Sequence, residues 1–215
     1  DLGKSWSRTE TEMYLNDFGI SFTDEETNLV EQVSQDLANG KIVAWMQGRF
    51  EWGPRALGFR SILADPSKKE TADTINRMVK FRELFRPFAP MCLEQHAASY
   101  FDIPTAAEPM LPYMLCTVGV RPEKQNEIPA VTHIDGSARI QIVNEEHHPK
   151  MNAILQSFYQ KSGLPVLLNT SFNMKGDAMV SSPVDAVATF RQSEIDVMYI
   201  DGFRVERNVK VKKKS

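Results

Sequence analysis

The chain has 215 residues, of which 42% are hydrophobic and 25% charged, and it carries a formal net charge of −3 at pH 7. This composition is typical of a globular protein with one large or two small cored domains. The acidic balance argues against a dedicated nucleic-acid-binding protein, because such proteins usually carry a basic surplus.

Apolar residues at helical spacing predict several amphipathic helices. Thr23 with Glu26 and Ser67 with Glu70 are predicted to form capping boxes at two of the helix starts, and Gly40 is predicted to end the first of these two helices. The predicted helices cover residues 10–18, 24–39, 66–79, 94–100, 149–161 and 183–192.

Short apolar runs between these helices predict strands, and the Pro-rich stretch 104–112 is predicted as a surface loop. The predicted strands cover residues 41–47, 61–64, 88–93, 113–118, 130–134, 139–143, 165–168, 197–200 and 203–206. Because helices and strands interleave and no repeat or linker interrupts them, we expect one α/β (or α+β) domain with a mixed sheet and flanking helices.

The two cysteines indicate a cellular compartment. Cys92 and Cys116 lie in apolar runs and are predicted to be buried thiols rather than a disulfide or half a metal site, which favours a reducing cytoplasm. No apolar run is long enough to predict a membrane span. The first residue is Asp1 rather than Met, so we expect the chain to be part of a longer polypeptide.

The segment GRFEWGPRALGFRS, residues 48–61, is the strongest indication of function. It places Arg49, Arg55 and Arg60 among glycines and a proline, directly after a predicted buried strand. Glycine lets backbone N–H groups turn toward an anion, and guanidinium groups match phosphate or carboxylate oxygens two at a time. The alternative is a surface loop with solvated arginines. A local surplus of nine Lys or Arg over five Asp or Glu between residues 49 and 86 favours the anion site.

A second basic motif, KFRELFRPFAP at residues 80–90, runs from a predicted helix end into a strand. Lys80 alone could be a cation that balances the helix dipole. Arg82 and Arg86 continue to the start of the strand, and binding residues gather at strand ends in α/β sheets. All three are therefore candidate ligand residues.

Polar residues at another strand end complete the candidate site. In LLNTSFNMKG, residues 167–176, the side chains of Thr170, Ser171 and Asn173 could bind a phosphate or a ribose. They could equally form only a side-chain-to-backbone turn.

The segment HIDGSAR places His133, Asp135 and Arg139 on one turn between predicted strands. We expect Arg139 to bind an anion, whereas a catalytic and a structural role are both open for His133 and Asp135. His147 and His148 have no third ligand at useful spacing, so they are predicted to be solvated turn residues and no metal site is expected. No Walker-type GxxxxGK[ST] sequence is present.

Taken in order, GRFEWGPRALGFRSILADP, INRMVKFRELFRPFAP, THIDGSARIQ and PVLLNTSFN resemble the C-terminal domain of the O-carbamoyltransferases, which modify nodulation factors and several antibiotics. The resemblance covers residues 28–204, and a nodulation-type protein is expected within the family. It implies that residues 1–27 join a missing N-terminal domain and that residues 28–215 form a YrdC-like domain. In such a fold a twisted mixed sheet surrounds a basic cavity.

The resemblance also implies a reaction, in which ATP and carbamoyl phosphate give carbamoyl-adenylate, with Mg²⁺ accompanying the nucleotide. The missing N-terminal domain would carry the histidine metal site of the family and pass the carbamoyl group to an acceptor hydroxyl. Arg55, Lys80 and Arg139 are the expected catalytic residues. The expected substrate- and nucleotide-binding residues are Arg60, Arg82, Arg86, His133, Asp135, Thr170, Ser171 and Asn173. The alternative is a noncatalytic RNA-binding or scaffolding module of the same fold, which the negative net charge disfavours.

Overall fold

The computed structural model describes residues 3–80 and 87–207 of the chain. The α-helices are α1 Arg8–Asp17, α2 Leu29–Ala38, α3 Lys69–Ile75, α4 Glu94–Tyr100, α5 Pro149–Ser162 and α6 Pro183–Gln192. The strands are β1 Thr23–Asp24, β2 Val43–Met46, β3 Arg60–Ala64, β4 Ala89–Leu93, β5 Phe101–Asp102, β6 Val118–Val120, β7 Ser137–Ala138, β8 Gln141–Val143, β9 Val166–Ser171, β10 Val197–Ile200 and β11 Phe203–Glu206.

Eight of the strands form one mixed sheet in the order β1-β11-β10-β2-β3-β9-β4-β8. The pairs β10–β2 and β4–β8 are parallel, and the other neighbours are antiparallel. Strands β2, β3, β4 and β10 are buried at every residue. Strands β2, β4 and β10 accordingly appear in the sequence as short continuous apolar runs rather than alternating ones, whereas β3 begins with the buried polar residues Arg60 and Ser61. A second, antiparallel sheet has the order β5-β6-β7.

Helices cover the sheet and complete the core. Helices α2 and α5 pack against each other, α5 also contacts β4 and β9, and α1 packs against α6. The apolar stripe of α2 consists of Leu29, Val33 and Leu37, all of which are buried. No helix in the described ranges 3–80 and 87–207 has the length and apolar character needed to cross a membrane.

Both predicted capping boxes are wrong, because a strand pairing holds Thr23 and a local turn holds Ser67 outside the helices. Thr23 lies in β1, paired with Arg204 of β11, and α2 begins only at Leu29. Ser67 donates its backbone N–H to the Asp65 carboxylate, and α3 begins at Lys69 without a side-chain cap. Tertiary pairing and a local turn therefore override the capping pattern.

Three predictions between residues 104 and 138 are also wrong. The stretch predicted as a loop is a 3₁₀-helix, Thr105–Tyr113, and the strand predicted at 113–118 starts only at Val118. The strand predicted at 130–134 is an irregular turn whose Ala130 N–H donates to the Pro66 carbonyl at 3.2 Å. Val131 is fully buried in this turn. Its apolar run therefore serves core packing rather than sheet pairing.

The remaining predicted elements are confirmed within three residues at their ends, with two exceptions. Helix α2 begins five residues later than predicted, and α3 gives way to a turn of π-helix at Asn76, before the predicted end. Helix α5 ends at Gly163, which has a φ of 75°, a conformation that glycine adopts without strain. The predicted strand at 139–143 is shorter than expected, because the chain leaves the small sheet after Ala138 and enters the large sheet at Gln141. Arg139 lies at this crossing between the two sheets.

Candidate functional site

Sheet topology brings the predicted motifs together. Strand β9 runs antiparallel to both β3 and β4, so the end of β9 lies beside the starts of its two neighbours. Ser171 at the end of β9 pairs with Ser61, and Asn169 pairs with Ala89. The arginine–glycine loop before β3, the segment leading into β4 and the polar end of β9 consequently meet at one end of the sheet.

A cavity of about 130 Å³ lies at this end of the sheet. Four of the predicted site residues line it, namely Arg55, Arg139, Thr170 and Ser171. Met114 closes another side with its backbone in the left-handed region, at a φ of 53°. Side chains separated by more than a hundred residues in sequence thus border one polar hollow.

The two arginines of the cavity have no acidic partner among the described residues. Arg55 is exposed and Arg139 is partly buried, and neither forms an ion pair within the part of the chain that the structure describes. Burial, and then the charge of Arg55, lower the pKa of Arg139 from its usual value. The Arg139 Nε atom is buried and has no hydrogen-bond partner among the described residues. Two converging guanidinium groups without a carboxylate form a site that favours an anion.

Lys80 lies next to this cavity and is held by the end of β9. Helix α3 continues into a turn of π-helix, Asn76–Lys80, which carries the lysine to Ser171. The Lys80 ammonium, which is 5% exposed, donates to the carbonyl of Ser171 at 2.6 Å and to the carbonyl and side-chain oxygen of Asn173 at 2.9 and 2.6 Å. Ser171 Oγ also donates to Asn173 Oδ1 at 2.6 Å. Lys80 therefore fixes the turn that follows β9, and Ser171 links that turn to the cavity.

Glu51 organises the arginine–glycine loop, although the sequence analysis gave it no role. Its side chain is 2% exposed, and Oε1 accepts the backbone N–H groups of Leu57, Phe59 and Arg60 at 3.0, 2.9 and 2.9 Å. One carboxylate thus shapes the loop that presents Arg55. The sequence did contain a signal for this role, namely a single acidic residue within a loop of glycines and arginines. Backbone N–H groups in such loops need an acceptor, and a carboxylate can supply it.

Asn169 and Gln141 hold the same loop from the sheet side, and the sequence analysis also missed them. Asn169 Nδ2 donates to the carbonyl of Ala56 at 2.9 Å, and Gln141 Nε2 donates to that of Leu57 at 2.9 Å. The two amides are joined by a bond of 2.8 Å from Asn169 Nδ2 to Gln141 Oε1. Polar residues inside otherwise apolar strands were the signal for this network.

Arg60 was predicted to bind substrate, but its contacts are internal to the protein. The side chain is fully buried and donates to the carbonyls of Gln47, Gly48 and Phe59 at 2.9, 3.0 and 2.9 Å. Burial lowers the pKa of Arg60, and the Glu51 carboxylate opposes this shift. Arg60 does not line the cavity of Arg55 and Arg139. These contacts correspond to a structural role in closing the loop.

His133 and Asp135 form the turn that precedes Arg139. Ser137 donates its backbone N–H and its hydroxyl to Asp135 Oδ1 at 3.0 and 2.7 Å, and Ser137 Oγ lies 3.1 Å from His133 Nδ1. Gly136 has a φ of 77°, as this tight turn requires. Burial lowers the pKa of His133, and Arg139 adds to the effect while Asp135 opposes it. The side chains of the turn are thus close enough to Arg139 to affect one another electrostatically.

Two predicted residues, Arg82 and Arg86, lie outside the described residues. Among the others, the structure brings Arg55, Arg139, Thr170 and Ser171 to one cavity and bonds Lys80 to its rim. Asn173 joins this group through Lys80.

His148 was predicted to be a solvated turn residue, and that prediction is wrong. Its ring stacks on Phe59 with centroids 4.3 Å apart, and burial lowers its pKa to about 4. Gly58 has a φ of 101°, and a Cβ atom there would lie 2.7 Å from His148 Nε2. The imidazole therefore supports the far side of the arginine–glycine loop. Its neighbour His147 is exposed, as predicted.

The cysteine prediction is confirmed for one of the two thiols. Cys92 is fully buried and burial raises its pKa, whereas Cys116 is only partly buried. Both are free cysteines.

Comparison with known proteins identifies relatives over most of the chain. A family profile described as "Carbamoyltransferase C-terminus" matches residues 34–207. The nodulation protein NolO of Bradyrhizobium diazoefficiens is 40% identical over 208 residues, which cover 96% of this chain and 37% of that protein. The chain thus spans little more than a third of this relative.

Solved structures show the fold independently. The full-length HypF structure in its phosphate- and nucleotide-bound form aligns with a TM-score of 0.59 at 17% identity, over 87% of this chain and 23% of HypF. Sua5 of P. abyssi in complex with L-threonine aligns with a TM-score of 0.58 at 16% identity, over 85% of this chain and 48% of Sua5. The predicted YrdC-like mixed sheet with flanking helices is confirmed, and so is the resemblance to nodulation-type relatives. The chain therefore belongs to the carbamoyltransferase C-terminal domain family.

Proposed function

We propose that this domain binds ATP and carbamoyl phosphate and joins them into carbamoyl-adenylate. The observation that carries the proposal is the unneutralised pair Arg55 and Arg139 at a polar cavity of about 130 Å³. Family membership supports carbamoyl transfer as the overall reaction. The HypF structure of similar fold, in its phosphate- and nucleotide-bound form, is consistent with ligands of this class.

The chemistry needs charge neutralisation more than a protein nucleophile. Carbamoyl phosphate first loses its phosphate to water and gives carbamate. A carbamate oxygen then attacks the α-phosphorus of ATP. The bond from that phosphorus to the oxygen that bridges the α- and β-phosphates breaks, and the β- and γ-phosphates leave as pyrophosphate. Both reactants are anions, so their approach is favoured by fixed cations in a site that limits water.

The described residues divide this work. Arg55 and Arg139 bind carbamoyl or phosphate oxygens, because they border the cavity and have no acidic partner in the ranges 3–80 and 87–207. The Thr170 hydroxyl donates a hydrogen bond to the adenylate. Ser171 Oγ, whose proton is donated to Asn173 Oδ1, accepts a hydrogen bond from it. Lys80 positions Ser171 and Asn173 and adds positive charge near the triphosphate. We assign Arg82 and Arg86 to the triphosphate from the sequence motif alone.

The turn of His133 and Asp135 has a supporting role in this proposal. It carries Arg139 to the cavity, and its hydrogen bonds to Ser137 fix its shape. Because burial lowers the pKa of His133, the imidazole is neutral at pH 7 and does not repel Arg139.

Mg²⁺ is expected to accompany the nucleotide rather than to be held by the cavity. Among the described residues, the cavity lining offers guanidinium, hydroxyl and amide groups but no carboxylate. These groups fit phosphate oxygens and do not fit the ion itself. Bound to ATP, the ion would neutralise charge on the phosphates.

Transfer to an acceptor hydroxyl is proposed to require the rest of a longer polypeptide, because the relatives are longer than this chain. Residues 1–27 as the joint to that part, and residues 28–215 as the domain, stay predictions. In the structure the first of these segments already belongs to the main sheet, through β1 and its pairing with β11. A cytoplasmic location also stays a prediction.

Exchange of labelled pyrophosphate into ATP tests the proposal. We expect exchange that depends on carbamoyl phosphate, because carbamoyl-adenylate and pyrophosphate re-form ATP in the reverse direction. The variant Arg139→Met should abolish the exchange, whereas Arg49→Met, at an exposed position of the arginine–glycine loop, should preserve it. A folded chain that neither exchanges pyrophosphate nor binds ATP would contradict the proposal. Salt-dependent binding of RNA by that chain would favour the noncatalytic alternative.

A further inference from the structure

Asn169 is a buried polar residue at the wall of the anion cavity. Its side chain is 1% exposed, and it borders the cavity together with Arg55, Arg139 and Ser171. Every other polar side chain of this wall carries either a guanidinium or a hydroxyl group. Asn169 adds an amide, which has both donors and an acceptor.

The orientation of this amide is fixed by backbone carbonyls. The carbonyl of Leu57 can only accept, so Gln141 must direct Nε2 toward it and Oε1 toward Asn169. The carbonyl of Ala56 likewise requires Nδ2 of Asn169. Both N–H groups of Asn169 are thereby used, one on Ala56 and one on Gln141.

The remaining atom, Asn169 Oδ1, is a buried acceptor without a hydrogen-bond partner among the described residues. A buried acceptor left unsatisfied is costly, and native proteins rarely retain one without a reason. Arginine and lysine groups bind oxygens and offer no acceptor. The cavity is therefore bordered by two cations that attract an anion and by a residue whose buried side-chain oxygen still needs an N–H or O–H donor.

We propose that Asn169 Oδ1 accepts a hydrogen bond from the NH₂ group of carbamoyl phosphate and so selects carbamoyl over other acyl phosphates. This inference rests on the proposed function, whose substrate it concerns. Carbamoyl phosphate presents both anionic oxygens and an NH₂ group, which match the arginines and Asn169 respectively. Acetyl phosphate has a methyl group in place of the NH₂ and would leave Oδ1 buried and unpaired. A site built around a hydrogen bond rejects the analogue that lacks it.

Two stable phosphonates test the selection without catalysis. Phosphonoacetamide carries an NH₂ group where phosphonoacetone carries a methyl group, and otherwise the two match. Calorimetric titration of the 215-residue chain should show that phosphonoacetamide binds about tenfold to a hundredfold more tightly. Equal dissociation constants would overturn the inference while leaving the anion site intact. Failure of both ligands to bind would overturn the inference and the proposed function together.

The variant Asn169→Leu assigns the preference to this residue. It removes the acceptor at similar volume, so the ratio of the two dissociation constants should fall to about one. Asn152→Leu is the matched control, since Asn152 is a buried asparagine of α5 away from the cavity, and its variant should keep the wild-type ratio. A preference that survives in folded Asn169→Leu contradicts the assignment. If that variant does not fold, the wild-type ratio alone decides.

Discussion

Lys80 and the pair Arg55 and Arg139 lie at the same end of the sheet, but they differ in what balances their charge. The Lys80 ammonium donates to backbone and side-chain oxygens of Ser171 and Asn173 at 2.6 to 2.9 Å. The two arginines meet no carboxylate within the described residues, and each charge opposes the other. A satisfied buried cation stabilises the fold, whereas an unsatisfied pair is available to a ligand. Cationic residues in neighbouring motifs therefore have different roles, one structural and the other in ligand binding.

The largest effect is expected at Lys80. The substitution Lys80→Met removes the ammonium and its hydrogen bonds to the oxygens of Ser171 and Asn173, so the free energy of unfolding should fall by about 3 kcal/mol. Chemical denaturation measures this change. Lys69→Met, at an exposed position of α3, should change the free energy by less than about 0.5 kcal/mol. Equal effects of the two variants would contradict the role of Lys80 in fixing the turn that follows β9.

Between pH 7 and 4.5 the pH dependence of stability should arise mainly from His148 and not from the arginines, which stay charged. His133, whose pKa burial also lowers, contributes with the same sign. The pKa of His148 is about 4 in the folded chain and 6.5 in the unfolded chain. As the pH falls, the unfolded chain therefore takes up the proton at a higher pH than the folded chain does. Its contribution is therefore complete above pH 6.5 and is lost as the pH falls toward 4, by about 2–3 kcal/mol. Denaturation at pH 7 and pH 4.5 should show this loss in the wild type.

His148→Phe should remove most of that pH dependence, because phenylalanine keeps the stack on Phe59 without a titrating group. His147→Phe is the control, since His147 is exposed. A wild-type profile in His148→Phe would show that another group titrates.

At the arginine pair the effect should be on binding rather than on stability. Arg139→Met should weaken ATP binding by about 2 kcal/mol, roughly thirtyfold, because a charge-assisted contact is lost. The free energy of unfolding should stay unchanged or rise slightly, since the repulsion with Arg55 disappears. Calorimetric titration and denaturation of one preparation give both numbers. A loss of stability without a loss of affinity in Arg139→Met would mean that Arg139 stabilises the fold and does not bind the ligand.

The smallest effect is expected for a neutral group of the same cavity. Thr170→Val keeps the shape and removes a hydroxyl, so ATP affinity should fall by about 1 kcal/mol, or about fivefold. The same titration measures it. An effect as large as that of Arg139→Met would mean that the arginines do not dominate binding.

Local patterns were sufficient for most of the fold. Helical spacing placed α4 and α6, a continuous apolar run placed β10, and the alternating residues of β11 placed that strand, because these elements are stabilised by their own buried faces. Patterns failed where a distant partner decided the outcome. Thr23 pairs with Arg204 instead of capping a helix, and the apolar run near Val131 fills the core as a turn.

The sequence by itself determined the fold class, the family and the set of candidate residues, because these depend on residue types and their order. Only the tertiary structure decided which of them are available to a ligand. Lys80 finds its oxygens 91 and 93 residues away, and Asn169 finds the carbonyl of Ala56 at a separation of 113 residues. A hydrogen bond depends on distance and direction in space, and the pairing of β9 with β3 and β4 is what creates both.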